Sequence, residues 1–333
     1  MKRLFLITAI MLAYLNLNAR VTLGKVQLDN VSEFEISESI TEMSSTAKIT
    51  IPKNYALKND VAILKLFKVG DEVRVECGYN GAYHTEFKGY ITEIDSDIPL
   101  VIHCEDMYKL RQNNLVKSYP AGTTLKRVLN DILAGTGITP QCDDVVVGKY
   151  SIDNASTFAV LQDLSSTFGL YCRLNDNVLR VGLAYSYGNN TQTHKYTIGK
   201  NVKENALKYK RAEDLKIRFK AVATNPDGKK TTVTVGTKEK DASERTLNFA
   251  GPMSESELRK QATAALAKVS FDGYQGSITG FGEPRTRAGD ALTVIDKLEP
   301  DNEYRQGTYL IEAVNISYGN GGFSRQNNLS YKI

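Results

Sequence analysis

The clearest pattern near the start of the chain is a strict alternation of apolar and polar residues from Leu15 to Leu23. The odd-numbered positions carry Leu, Leu, Ala, Val and Leu, and the positions between them carry Asn, Asn, Arg and Thr. A period of two places the two sets of side chains on opposite faces of a strand. The pattern therefore predicts a β-strand with one buried face.

Ahead of this strand, two basic residues precede an apolar run from Leu4 to Leu15, which is the layout of a secretory signal peptide. The run is too short to span a bilayer. A signal-peptide cleavage site requires small residues at the last and third-last positions before the cut. Cleavage after Ala19 would place Leu17 at the third-last position and would divide the predicted strand. The alternation favours a retained segment, with residues 1–10 as a short extension or Met11 as the true start. Cleavage is the alternative.

The chain separates into three regions by the periodicity of its apolar residues. The first, residues 11–107, consists of short strand-like runs. Examples are "AKITIP", "DEVRVECGY" and "PLVIHCED", which alternate in part and are separated by turn residues. Asn80–Gly81 lies between two such runs and is a strong hairpin signal. The first region is predicted to be all β.

The second region, residues 108–182, has helical periodicity instead. In "TTLKRVLNDILAGTG" the apolar residues recur at helical spacing, Thr123 or Thr124 can cap the start, and Gly135 suits the left-handed residue past the end. The stretch "STFAVLQDLSSTFGL" has the same form. A hairpin is expected near Asn175–Asn177. These signals predict a small helix-plus-hairpin domain.

The third region, residues 183–333, returns to strands with one helix. "DLKIRFKAVAT" and "KKTTVTVG" flank the turn "NPDG" and predict a hairpin. The helix is expected over residues 254–271, where Ser254 and Glu257 have the spacing of a capping box.

A faint internal repeat links the first and third regions. "KVGDEVRVECGYNGAYHTEFKGYITEI" is similar to "RAGDALTVIDKLEPDNEYRQGTYLIEAV". Gly70–Asp71 matches Gly289–Asp290, and each pair leads into an alternating strand and then a second strand. The repeat predicts the same β unit on either side of the helical insert, with paired antiparallel strands in both.

Composition adds little chemistry to this picture. With 333 residues, the chain can hold two or three domains. Its formal charge of +4 is too small for a nucleic-acid footprint. The basic stretch Lys195–Lys240 is interspersed with acids, which favours solvated strand faces over phosphate binding. Four cysteines without a C-x-x-C pair favour buried thiols over disulfides.

The sequence contains no recognisable catalytic or ligand-binding motif. The chain has three histidines and no G-x-S-x-G elbow. The run His103–Asp106 offers ligand types for a metal, but neighbours on a strand point to opposite faces. Asp143 and Asp144 are better explained as a surface turn than as a catalytic pair. No catalytic, cofactor-binding or metal-binding residue is predicted, and the chain is not expected to be an enzyme.

The order of these features resembles the bacteriophage tail-hub or baseplate-hub proteins, the late control gene D family, and the hub part of contractile secretion spike proteins. The segments that carry the resemblance are "FEISESITEMSSTAKITIP", "VGDEVRVECGY", the two helical stretches and the ending "GSITGFGEPRTRAGDALTVID…GTYLIEAVNISYGNGGFSRQNNLSYKI". The likeness covers nearly everything from about Met11 onward, and no spike or lysozyme segment follows the hub pattern.

The resemblance implies a mainly β fold in which two tail-tube-like β-barrels, residues 11–107 and 183–333, flank a small α/β insert at 108–182. Three such chains would form a ring with a central channel, joining a sixfold tail tube to a threefold spike or tip. The implied partners are other copies of the chain, the tail tube or distal tail protein, the spike or tip protein and the tape-measure protein. DNA would pass through the channel without specific binding, and no membrane insertion is implied.

The implied location is a virion tail, or a prophage-derived injection particle, assembled in the host cytoplasm. In this family the first barrel strand starts the chain, which supports the retained segment. A secreted protein that binds cell-wall glycan, with a cleaved signal peptide and exposed aromatics such as Tyr171, Tyr185 and Tyr187, is the alternative.

Overall fold

The structure of the chain is a computed structural model. It describes residues 16–29, 31–52, 66–95, 99–142, 146–168, 170–183, 192–224, 229–250, 253–297 and 306–333. Residues 1–10, Leu15, and the pair Asp143 and Asp144, for which the sequence makes predictions, all lie outside these ranges.

Strands dominate the described residues, so the prediction of a mainly β fold is confirmed. The first region contains β1 (Leu17–Leu23), β2 (Val26–Leu28), β3 (Glu33–Ser39), β4 (Thr46–Ile51), β5 (Glu72–Tyr79), β6 (Ala82–Asp95) and β7 (Leu100–Glu105). The middle region contains β8 (Leu115–Thr124), α1 (Leu125–Ile132), β9 (Thr139–Cys142), β10 (Val146–Ala155), α2 (Thr157–Phe168), β11 (Leu170–Asn175) and β12 (Val178–Leu183).

The third region alternates between strands of the main sheet and a small separate unit. Its elements are β13 (Thr193–Ile198), β14 (Val202–Lys210), β15 (Ile217–Thr224), β16 (Lys230–Gly236), β17 (Ser243–Ala250), α3 (Glu255–Val269), β18 (Gly273–Phe281), β19 (Ala291–Asp296), β20 (Gly307–Gly319) and β21 (Gly322–Lys332).

Thirteen of the described strands form one sheet that contains both halves of the predicted repeat. In the first half the strand order is β3-β4-β7-β6-β5-β1, and in the second it is β14-β18-β21-β20-β19-β13. When the six strands of each half are numbered along the chain, both halves have the same spatial order, 2-3-6-5-4-1. We call these six-strand sets the first repeat and the second repeat.

The strand directions also match, with one exception. Four of the five contacts within each repeat, from β3-β4 to β6-β5 and from β14-β18 to β20-β19, are antiparallel. The last contact differs, because β1 runs antiparallel to β5 whereas β13 runs parallel to β19. The predicted antiparallel pairing of the Gly-Asp strands with the strands of Tyr90 and Tyr309 is confirmed.

The predicted hairpin at Asn80–Gly81 is present. Tyr79 faces Ala82, and the two turn residues have φ angles of 54° and 80°. Two successive positive φ angles are the requirement of a type I′ turn, which matches the twist of the flanking strands. Asparagine and glycine are the residues that adopt this conformation most easily.

The alternation at the start of the chain becomes a buried strand. Ala19, Val21 and Leu23 on β1 are buried, and Leu17 packs partly buried against the same hydrophobic core. That core runs through both repeats, since Leu292 and Val294 belong to it together with Val73 and Val75. The matching positions of the two Gly-Asp strands therefore have the same environment.

The middle region has its own hydrophobic core, to which both helices contribute. The Thr124 hydroxyl oxygen accepts from the Arg127 N–H at the start of α1, and Gly135 has a φ of 79° just past its end. The hairpin turns at Asp176–Asn177, as expected. The cap of α1 is thus Thr124 rather than Thr123.

Helix α3 differs from expectation in its surroundings. It has the predicted capping box at Ser254 and Glu257. The sequence places the helix in the second barrel, but it packs on the three-stranded sheet β16-β15-β17, with a hydrophobic core of its own. This small unit lies in the chain between β14 and β18. The domain boundaries themselves stay a proposal.

None of the helices in the described ranges combines the length and the apolar character that crossing a bilayer requires.

Candidate functional site

The Gly-Asp turns are built alike in the two repeats. In each, the glycine N–H donates to an isoleucine carbonyl, at 2.8 Å in the first repeat and 2.7 Å in the second. The same isoleucine N–H donates back to the aspartate carbonyl, at 2.9 and 2.8 Å. The matched residues are Gly70 and Gly289, Asp71 and Asp290, and Ile91 and Ile311. Equivalent hydrogen bonds in both halves support a duplicated β unit.

Replacing either turn glycine by alanine is expected to lower the free energy of unfolding by about 1–2 kcal/mol. Gly70 and Gly289 have φ angles of 90° and 87°, a conformation in which a Cβ atom is strained. Denaturant unfolding of G70A and G289A would measure the loss. The control is G321A, because no atom lies within 4 Å of the Cβ it would add and its φ is not positive. An equal loss in the control would contradict the explanation.

The two repeats are joined edge to edge by β20 and β3. The strands pair antiparallel from Ala313 opposite Ser39 to Tyr318 opposite Phe34. The last two side chains stack, with ring centroids 5.0 Å apart and planes 6° from parallel. This junction turns two similar units into one continuous sheet.

Beside the junction lies a set of buried and half-buried charges that we call the charge cluster. It contains two carboxylates of the first repeat and four arginines from the insert and the second repeat. Its members are Glu38, Glu86, Arg173, Arg285, Arg287 and Arg325. The cluster therefore connects three parts of the chain by ion pairs.

Glu86 on β6 is bound mainly by Arg325 on β21. Arg325 Nη2 lies 2.6 Å from Glu86 Oε1, and both side chains are fully buried. The same guanidinium donates to the carbonyl oxygens of Gly282 and Thr286, at 2.7 and 3.3 Å. Arg285 and Arg287 contact the other carboxylate oxygen at 3.5 and 3.9 Å. A buried charge with this many partners is held in place rather than exposed for chemistry.

Glu38 on β3 is the second carboxylate of the cluster. Its Oε1 lies 2.9 Å from Arg287 Nε, and its Oε2 lies 2.7 Å from Arg173 Nη2. Arg173 is on β11, so this carboxylate ties the insert to both repeats. The sequence search did not identify the cluster.

A cavity of about 600 Å³ opens beside the charge cluster, and its lining is mostly polar. Asp106, His194 and Asp290 line it together with three arginines of the charge cluster, Arg173, Arg285 and Arg287. His194 Nε2 lies 3.0 Å from Asp290 Oδ2, so the second Gly-Asp turn forms part of the wall. The wall carries acidic and basic side chains next to one another. This arrangement favours ion pairs within the wall over the binding of a free cation or anion.

Asp106 has the most perturbed carboxyl group near this cavity. Burial raises its pKa from 3.8 to about 7, although the Ser44 hydroxyl and the Ser45 N–H donate to it at 2.7 and 3.0 Å. Between these two pKa values the folded state binds more protons than the unfolded state. The free energy of unfolding is therefore expected to fall as pH rises from about 4 to 7.

The variant Asp106→Asn tests this pH dependence. It keeps acceptors for both hydrogen bonds but cannot ionise. Urea unfolding of both proteins across that pH range should give a shallower fall for the variant. Parallel curves would contradict the assignment to Asp106.

The residues that raised the question of metal binding do not converge. On β7, Cys104 is buried while His103 and Glu105 lie on the other face. His103 is paired with Asp95 at 3.1 Å, and Arg111 binds Glu105 at 2.6 Å. Within the described ranges, no group of three or more His, Cys, Asp or Glu residues has the geometry to hold a metal ion.

The cysteines follow the expected pattern where they are buried. Cys77, Cys104 and Cys172 are inaccessible thiols. Burial raises the pKa of Cys77 and of Cys104 to about 12, so these groups stay protonated and unreactive near neutral pH. Of the tyrosines considered for glycan binding, Tyr171 packs partly buried against a small apolar cluster, and Tyr185 and Tyr187 lie outside the described residues.

One feature of the sequence could have indicated the charge cluster. On β21 the buried face carries Phe323, Arg325, Asn327 and Leu329 in alternation. A charged residue in the inward register of a strand requires a buried partner. The partner, Glu86, lies 239 positions earlier, and no spacing rule connects them.

Comparison with known proteins gives the fold a context. No family model matches the chain. No curated protein matches its sequence either. Solved structures do match. The tail protein from Neisseria meningitidis MC58 has a TM-score of 0.62 at 14% identity, over 94% of this chain and 96% of that chain.

Two further structures extend the match. The 43 kDa tail protein of prophage MuSo2 from Shewanella oneidensis has a TM-score of 0.62 at 14% identity, over 95% of this chain and 97% of that chain. An E. coli component of the type VI secretion system, described as similar to T4 bacteriophage tail proteins, has a TM-score of 0.57 at 12% identity, over 94% of this chain and 77% of that chain. The resemblance to tail-hub proteins is confirmed at the level of the fold, which this chain shares along nearly its whole length with phage tail proteins.

Proposed function

We propose that this chain is the structural hub of a phage tail or of a related injection particle. Three copies close into a ring that joins the sixfold tail tube to a threefold spike or tip and leaves a central channel. The observation that carries the proposal is the repeat, because one six-strand order occurs twice in the chain. Three chains then present six similar units, the number that a sixfold tube requires.

The proposed role is structural rather than enzymatic, and its partners follow from the ring. One face meets the tail tube or distal tail protein and the other meets the spike or tip protein. The tape-measure protein and then DNA pass through the channel without specific binding, to which a formal charge of +4 is suited. The protein is located in the virion tail after assembly in the host cytoplasm.

A homotrimer, alone or on assembly, is the expected result when the purified chain is examined by mass photometry and by electron microscopy with its tail-tube protein. A dimer or a hexamer of this chain in the particle would contradict the proposal. Binding to cell-wall glycan by a monomer, together with a mature form that lacks β1, would instead favour the secreted glycan-binding alternative.

A further inference from the structure

The two repeats are joined within the chain by β20 of the second repeat and β3 of the first. The equivalent strands, β6 of the first repeat and β14 of the second, are not paired with each other. Building on the ring proposed above, we infer that neighbouring copies are joined by β14 of one chain pairing antiparallel with the Glu93–Asp95 end of β6 in the next. The partner is thus a second copy of this chain. This contact between chains has the same antiparallel pairing that joins β20 and β3 within one chain.

The end of β6 has the same geometry as the part of β20 that binds β3. Pairing with β5 stops just before Ile91, and pairing of β20 with β19 stops just before Ile311. Each strand then bulges against its hairpin partner, between Ile91 and Glu93 and between Ile311 and Ala313. Beyond the bulge, β20 pairs with β3. The corresponding edge of β6 has no partner among the described strands.

Strand β14 is the equivalent of β3 and has an open edge. It stands at the end of the large sheet, where β18 is the one strand in the described ranges that pairs with it. Most of its residues are exposed and none is fully buried, whereas β3 alternates between buried and exposed residues. A nine-residue open edge is a surface that proteins either protect or pair with another chain.

Residues of β3 and β14 can be matched, because three successive cross-strand pairs connect each strand to the bulge of its own repeat. The connected residues are Ile91, Cys104, Ala47 and Ile36 in the first repeat, and Ile311, Leu329, Gly276 and Leu207 in the second. Ser37 is therefore equivalent to Lys208. Two positions further on, Ser39 is equivalent to Lys210.

Within the chain, the junction pairs at these positions are uncharged. Ser37 faces Asn315, and Ser39 faces Ala313. Ala313 and Asn315 lie two and four positions after Ile311. The residues two and four positions after the equivalent Ile91 are Glu93 and Asp95, so on β6 both positions are acidic.

Between chains, the same register brings Asp95 opposite Lys208 and Glu93 opposite Lys210. Opposite charges that face each other directly on neighbouring strands stabilise the pair, and like charges destabilise it. Lys208 and Glu93 are exposed in the single chain, and the Lys210 ammonium donates to the Val269 carbonyl at 2.9 Å. The two edges are therefore complementary in charge, which commits the basic β14 edge to the acidic β6 edge of another copy.

The opposite face of the contact would be apolar. Between the two charged pairs, the register places Ile94 opposite Tyr209, whose side chain is 38% exposed in the single chain. Aromatic and β-branched residues on facing strands are a favourable combination. Because the two edges differ, each contact is heterologous and leads on to a further copy until the ring closes.

Charge reversal on each edge tests the inference. K208E/K210E and E93K/D95K should each raise the concentration needed for half-assembly by about tenfold or more, because two attractive cross-strand pairs become repulsive. The variant that carries all four substitutions restores both pairs with exchanged signs and should assemble within about threefold of the wild type. Mass photometry across a dilution series measures all three, and circular dichroism spectra and melting temperatures verify that each variant is folded.

The matched control is K238E/K240E, which reverses two exposed lysines away from both edges and should assemble normally. If the lysines serve only to prevent edge-to-edge aggregation, K208E/K210E will assemble like the wild type, and the inferred contact is wrong while the ring stands. Failure of the four-substitution variant to recover would also contradict the register. If the wild type forms no trimer alone or with tail-tube protein, the proposed function itself fails.

Discussion

Replacing Arg325 by methionine is expected to lower the free energy of unfolding by about 3–5 kcal/mol, the cost of removing the main partner of a buried charge. The fully buried Glu86 would lose its closest cation, at 2.6 Å. The carbonyl oxygens of Gly282 and Thr286 would lose their donor as well. Denaturant unfolding followed by circular dichroism measures the difference.

Two further variants separate this explanation from a simple loss of packing. Adding E86Q to R325M removes the buried charge that has lost its main partner and should recover much of the loss, because a neutral amide costs less to bury. R259M removes a cation from an exposed i,i+4 pair with Glu255 and should change stability by less than about 0.5 kcal/mol. A double variant no more stable than R325M would show that the charge itself is not the cause.

Local patterns predicted the elements of this fold well, because they depend on residues close in sequence. The Asn80–Gly81 hairpin, the cap of α3 at Ser254 and the alternation of β1 are all present. The repeat was also detected from the sequence, since its Gly-Asp turn requires a glycine at a positive φ in both copies.

Long-range relations were predicted less well. Strands β15, β16 and β17 alternate like the strands of the repeats, so nothing in their pattern indicates that they form a separate sheet under α3. The parallel direction of β13 against β19 has no sequence signal either. The charge cluster depends on partners from three regions of the chain, and its pairing follows from the fold alone.

The complementary edges of β14 and β6 follow from the duplicated sheet and not from the likeness to known structures. At 14% identity or less, the likeness to the tail proteins and the secretion component establishes the fold alone. The junction inside this chain supplies the rest, because it is an observed example of how one repeat meets the other. Transferring its register to β14 and β6 identifies specific charged pairs.

Replacing Val21 by aspartate should lower the free energy of unfolding by about 4 kcal/mol, because it buries an unpaired charge. Val21 is inaccessible on β1, between Leu28 and Val75 on the flanking strands. The matched control is T22D on the other face of the strand, where the new carboxylate would lie opposite Arg74 and should change stability by about 0.5 kcal/mol or less. Leu17→Asp, at a half-buried position, should give a loss between the two.

The three β1 variants also decide between the two interpretations of the start of the chain. If the segment belongs to the mature fold, the losses should rank Val21, Leu17, Thr22 in denaturant unfolding, because this order follows their burial against the core of the first repeat. A disposable leader predicts unchanged unfolding curves for all three.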